Sequence, residues 1–220
     1  MIGGAGTLAP ATVALCPSTP HGRDGLRALC DSRCSVRIYA IDPGPETCGM
    51  VLYDTDDRAV LDYDKARPVD DVLLRITDAA RRRQVDLIAC ERVQSYGISG
   101  GHLLLTCEVY GRIWDRSVFH GLPFHGLRRR EVLAALDLLG ASGNRDAAVR
   151  ARLIEMHGST KRAACGTKAA PGPLYGVSSH AWQALGVAVA IASQVSPRPT
   201  CANLPPWRSV RAEHDPAVAD

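Results

Sequence analysis

No stretch of about 18 consecutive apolar residues occurs in this 220-residue chain, which leaves nothing to cross a membrane as a helix. The apolar opening from Gly3 to Cys16 is broken by Gly and Pro and has no basic residue before it, unlike a secretory signal. No CxxC pair occurs among the eight cysteines, and Cys30 and Cys34 have no second pair near them, which argues against a zinc site. Cys90 and Cys107 lie in apolar or helical patterns and are expected to be small buried hydrophobes. Reduced thiols in a cytoplasmic protein are the expectation. Lysine is nearly absent: Lys65, Lys161 and Lys168 are the only three among 26 basic residues, and the rest are arginine. Arginine's planar fork suits phosphate recognition. Codon usage in a GC-rich genome would give the same bias. The net charge of +3 is modest, and the 46% hydrophobic content is ordinary for one packed domain.

Residues 1–35 are rich in Gly, Pro, Ala and Cys without periodicity and read as a disordered leader. Residues 196–220 carry five prolines and read as a flexible tail. The span 36–195 between them reads as one domain. Strands are expected at Val36–Asp42, Cys48–Tyr53 and Ala59–Asp62, as an antiparallel meander. Helical spacing follows over Val69–Arg83, then a buried strand over Val85–Glu91. A long helix over Gly101–Phe119 and a short strand over Pro123–Leu127 come next. Helices over Arg129–Leu139 and Arg145–His157 precede a Gly/Pro-rich loop at 158–176 and an apolar last helix over Val177–Gln194. The order predicts an α/β protein of the RNase H-like fold: a mixed five-stranded sheet with helices on both faces.

Two acids end apolar strands. Ile38-Tyr39-Ala40-Ile41-Asp42 runs into Pro43-Gly44, and Asp86-Leu87-Ile88-Ala89-Cys90 runs into Glu91. A buried strand rarely admits an acid unless it is paired or binds metal. Alone, Asp42 is equally well read as capping the turn before Gly44, and a surface acid after a strand is the lesser alternative for Glu91. Together, at adjacent strand ends about 4.8 Å apart, they can share a divalent ion. Oxygen ligands suit Mg²⁺ or Mn²⁺, and such sites hydrolyse phosphodiesters. His180 and Gln183 lie three apart at the start of the last helix and share a face. A lone His there also serves as a cap or packing residue.

These residues resemble the RuvC-type Holliday junction resolvases. Ile41-Asp42-Pro43-Gly44 with Thr47 and Gly49 is similar to the family's first motif, and Glu91 at an Ile-x-x-Glu strand end to its second. His180-Ala181-Trp182-Gln183-Ala184-Leu185-Gly186 is similar to its last. The intervening segments match a phage- and bacterium-borne RuvC-like branch more closely: Glu91-x-x-x-Ser95-Tyr96-Gly97, Thr106-x-x-x-x-Gly111-Arg112, Arg129-x-Glu131-Val132 and Arg145-Asp146-x-x-Val149-Arg150. The resemblance spans residues 36 to 193. It implies a metal-dependent, structure-selective endodeoxyribonuclease acting on branched DNA such as Holliday junctions, in recombination and repair, as a homodimer. Asp42, Glu91, His180 and Gln183 would be catalytic, with Asp42, Glu91 and His180 as ligands of Mg²⁺ or Mn²⁺.

Gln183 departs from the pattern, which has an acid there. An amide is a weaker, uncharged ligand, which puts a tightly held second metal in doubt. Asp146 is a substitute acid in principle, although N-capping or a surface position is the plainer reading. The alternative is a catalytically weakened RNase H-fold DNA-binding module. DNA contacts are expected from Arg112, Arg128, Arg129, Arg130, Arg145 and Arg150, and from Tyr96 in the glycine-rich loop after Glu91. A solvated arginine-rich helix face is the competing reading of those arginines.

Overall fold

The computed structural model describes residues 35–94 and 100–195. Tyr96, nearly all of the 1–35 leader and the 196–220 tail lie outside them.

Five strands form one sheet: β1 (Arg37–Asp42), β2 (Thr47–Asp54), β3 (Ala59–Pro68), β4 (Leu87–Arg92) and β5 (Phe124–Arg128). The order across the sheet is β3-β2-β1-β4-β5. β1 pairs antiparallel with β2, and β2 with β3, while β1–β4 and β4–β5 are parallel. A meander continued by two parallel crossovers is the RNase H-like arrangement, as expected. β3 runs six residues past its expected end at Asp62. Its polar stretch alternates in burial along an edge strand, which conceals it from a search for apolar runs.

Helices cover both faces. On one lie α1 (Val69–Arg81) and α2 (Gly101–Phe119). On the other lie α3 (Arg129–Ala135), α4 (Arg145–Gly158), the short α5 (Lys161–Cys165) and α6 (Ala181–Ala192). Two helices are markedly shorter than expected. The expected 129–139 helix ends at Ala135, where the chain turns and Asp137 takes a positive φ of 59°. The last helix starts at Ala181 rather than Val177, because Ser179 adopts φ 50° just before it. The unforeseen α5 sits inside the Gly/Pro-rich loop.

Strand periodicity sorts the core in two. Ile38, Ala40, Val51, Tyr53, Leu87 and Ala89 face α6 and pack with it. Tyr39, Ile41, Met50, Ile88 and Cys90 face α1 and α2. α6 is buried on nearly every side, with Ala184, Leu185, Val187, Ala188 and Ile191 all inaccessible. A helix apolar all round belongs in an interior. Cys90 is buried as expected. Cys107 is exposed, because α2 is only half covered and turns that face to solvent.

Candidate catalytic site

The same two-residue alternation places the acids. Asp42 follows Ala40 by two, and Glu91 follows Ala89 by two, so both side chains belong to the α6 face. The β1–β4 register pairs Ile41 with Cys90, which sets Asp42 and Glu91 at the same level of neighbouring strands. Gly49 is opposite Asp42 on β2. A Cβ on Gly49 would overlap the main chain and Cβ of His180. Glycine at 49 therefore lets the start of α6 settle directly onto the end of β1. That accounts physically for the glycine at position 49 of the Thr47-x-Gly49 pattern.

His180 is the N-cap residue of α6. Its Nδ1 lies 3.2 Å from Asp42 Oδ2. An ionised carboxylate can only accept, so with Asp42 charged the Nδ1 of His180 is the donor in this contact. Asp42 is 19% exposed and His180 55% exposed. Burial raises the Asp42 carboxyl above the ordinary range; His180 and, more weakly, Arg129 oppose this. Burial raises Glu91 too, against the pull of Arg129.

Arg129 closes the other half of the site. Its Nη1 donates to Glu91 Oε2 at 3.2 Å and to Gln183 Oε1 at 2.6 Å, and its Nη2 donates to Asp146 Oδ1. Only 16% of its side chain is exposed. Local sequence explains the placement. Arg128 ends β5 and its N–H donates to Glu131 Oε2 at 2.6 Å, which fastens the first turn of α3 and so the base of Arg129. Asn144 caps α4 by accepting from the N–H groups of Asp146 and Ala147. The expected capping role of Asp146 belongs to Asn144, and the Asp146 carboxylate turns to Arg129 instead.

The remaining arginines lie differently. Arg130 and Arg145 line, with Leu133 and Leu139, a shallow cleft of about 330 Å³ that shares Arg129 with the acid cluster. Arg150 stacks on the Trp182 ring at 5.1 Å, and Arg112 pairs with Asp70 on α1. Arg128 is exposed at the end of β5. The site thus unites Asp42, Glu91, His180, Gln183 and Arg129. The inward turn of Arg129 was not legible from a run of three arginines. The one available signal was its place immediately after a strand bordering β4.

The fit to a divalent ion divides along the same line. Among the described residues, no three His, Cys, Asp or Glu side chains converge tightly enough to enclose an ion. On the Asp42 side, hard oxygen donors and an imidazole face one another with carboxylate charge held against burial, a donor set that suits Mg²⁺ or Mn²⁺. On the Gln183 side the acceptors are already engaged by a guanidinium.

No family model and no curated protein matches the chain. Among solved structures it is similar to Thermus thermophilus RuvC, at 18% identity over 70% of this chain and 92% of that one, with a TM-score of 0.48. A structure of T. thermophilus RuvC in complex with a Holliday junction substrate gives 18% identity, 70% and 91% coverage, and a TM-score of 0.47. The yeast mitochondrial Holliday junction resolvase gives 12% identity, 78% and 83% coverage, and a TM-score of 0.44.

Proposed function

We propose that the chain is a structure-selective endodeoxyribonuclease that hydrolyses phosphodiesters in branched DNA, with the four-way junction as its preferred substrate. The observation that carries this reading is the level pairing of Asp42 and Glu91 at adjacent parallel strand ends, with His180 held against Asp42. The motif order around these residues supplies the branched-DNA class. Asp42, His180 and the Glu91 oxygen not engaged by Arg129 would hold Mg²⁺ or Mn²⁺. When bound, such an ion polarises the phosphate and acidifies water. Asp42 orients His180 through Nδ1, which leaves Nε2 as the ring nitrogen that would ligate the ion. Arg130 and Arg145 offer an anionic backbone its counter-charge in the cleft they share with Arg129. Arg128, Arg112, Arg150 and Tyr96 complete the proposed DNA contacts.

Two active sites must face opposed strands for a junction to be resolved, and this reading takes the chain as a homodimer acting on cytoplasmic DNA. Leu104, Leu105, Val118 and Phe119 are exposed on α2 and offer the apolar surface for pairing. No helix among the described residues is long and apolar enough to cross a membrane.

Asp42→Asn tests the assignment. It should lower the rate of junction cutting by roughly three orders of magnitude, about 4 kcal/mol of barrier, while junction binding persists. Nicking of a synthetic four-way junction at the wild-type rate would overturn the catalytic role. The neutral Gln183 favours a second reading, a catalytically weakened DNA-binding module. Saturable Mg²⁺- or Mn²⁺-dependent cutting selects the first, and binding without cutting under either ion selects the second.

A further inference from the structure

Arg129 is chemically out of place as a mere surface cation. It is one of three successive arginines, yet it alone turns inward and donates to three acceptors on three separate elements: Glu91 on β4, Gln183 on α6 and Asp146 on α4. A guanidinium cannot give up its charge in a protein, and its fork geometry fixes where that charge sits. Gln183 is also the residue that departs from an all-acid site. Its amide oxygen makes a 2.6 Å bond to Arg129, so the two residues fit one another as donor and acceptor. A neutral oxygen at this point accepts the guanidinium without adding a further carboxylate to a buried cluster that already contains Asp42 and Glu91.

We propose that Arg129 is the resident cation of the Glu91–Gln183–Asp146 half of the site, which leaves the chain a place for one divalent ion, at Asp42 beside His180. The inference rests on the nuclease reading and deepens it. Gln183 is then the counterpart of a built-in positive charge rather than the mark of a lost ligand. A second divalent ion would have to displace the guanidinium from Glu91 and Gln183, and would meet its charge at close range in a partly buried setting. The two sides of the site divide the labour: Asp42, His180 and the free Glu91 oxygen hold the exchangeable ion, and Arg129 keeps a fixed charge on the other Glu91 oxygen.

The test counts Mn²⁺ bound per full-length chain by electron paramagnetic resonance of the free ion, with no DNA and no activity readout. Wild type should saturate at one ion. Arg129→Met, and the double variant Arg129→Met/Gln183→Asp, should each saturate at two, the double variant at lower Mn²⁺. Arg129→Lys keeps the charge and should remain at one. Far-UV circular dichroism on each variant confirms that the fold is intact, and a wild-type count of two or of none overturns the proposal even where a variant does not fold. Two ions in wild type would overturn the proposal while leaving the nuclease reading in place. No ion in wild type would overturn both. A count of one in folded Arg129→Met and in the double variant would overturn the resident-cation role alone.

Discussion

The two faces of the sheet are built from the same strands and have opposite characters. The α6 face carries every group of the candidate site: Asp42, Glu91, His180, Gln183 and Arg129. Its helix is largely apolar and seated so closely that only a glycine fits beneath its N-cap residue, His180. The α1/α2 face carries none of them. There the helices are amphipathic, only Val109, Ile113 and Ser117 of α2 are buried, and large apolar side chains such as Phe119 reach solvent. A one-residue step along β1 moves a side chain from one face to the other. Chemistry and scaffold are therefore separated by the parity of a residue number, with Asp42 and Glu91 each two beyond an alanine of the α6-facing core.

The largest expected effect breaks the close approach of that face. Gly49→Val should place side-chain carbon into the His180 main chain, push the start of α6 off β1 and separate His180 from Asp42. Overpacking of this kind costs about 1–3 kcal/mol, or roughly 2–4 °C of Tm per kcal/mol in a chain of this length. Junction cutting should fall far more steeply than stability. Cys48→Ala, one residue away on the buried opposite face, makes the contrast. It should cost stability by loss of a buried sulfur and leave the cutting rate nearly unchanged. Equal losses of rate in the two variants, measured beside their melting curves, would remove the distinction between the faces.

The opposite face should break in the opposite way. Leu104→Glu/Phe119→Glu adds charge to exposed positions 67% and 78% accessible, so the fold should be retained within about 0.5 kcal/mol. Sedimentation should then show a monomer where wild type is a dimer. The melting temperature should lose its dependence on protein concentration, and binding of Mn²⁺ should be unaffected. A wild type that is already monomeric, or a double variant that still dimerises, would dismiss this surface as the contact.

Much of this division was readable beforehand. The acids announce themselves because each ends an apolar run, and a charge at the end of a buried strand needs a reason. The bounds of α2 were readable to the residue, since Gly101 opens it and the turn after Phe119 closes it. Elements with no apolar signature were not. β3 continues through a polar edge stretch, and α5 is five residues inside a glycine- and proline-rich loop. Arg129 was hidden for a different reason. Its neighbours Arg128 and Arg130 are chemically identical, and the direction of each is set by where β5 ends and α3 begins, which only the tertiary register decides. The exposure of Cys107 likewise depends on how much of α2 the sheet can cover.

The smallest effect sharpens the comparison within the active face itself, and it appears in stability rather than rate. Burial raises the carboxyl of Asp42 in the folded protein. The folded state therefore holds that proton at a pH where the unfolded chain has released it. Below the ordinary aspartate value of about 3.9 both states are protonated, and the group costs nothing. As pH rises through the raised folded value the carboxylate forms in a site that disfavours it, and stability is lost. Asp42→Asn removes that loss. Its melting temperature should match wild type near pH 3.5 and exceed it at pH 7.5. Glu91→Gln should give a smaller gain or none, because Arg129 already compensates Glu91 and would lose a charged partner. Saturating Mn²⁺ should raise wild type toward Asp42→Asn and leave the variant where it is. A gain for Asp42→Asn that is the same at both pH values would mean that the carboxylate is not held against burial, and the asymmetry between its half of the site and that of Arg129 would be gone.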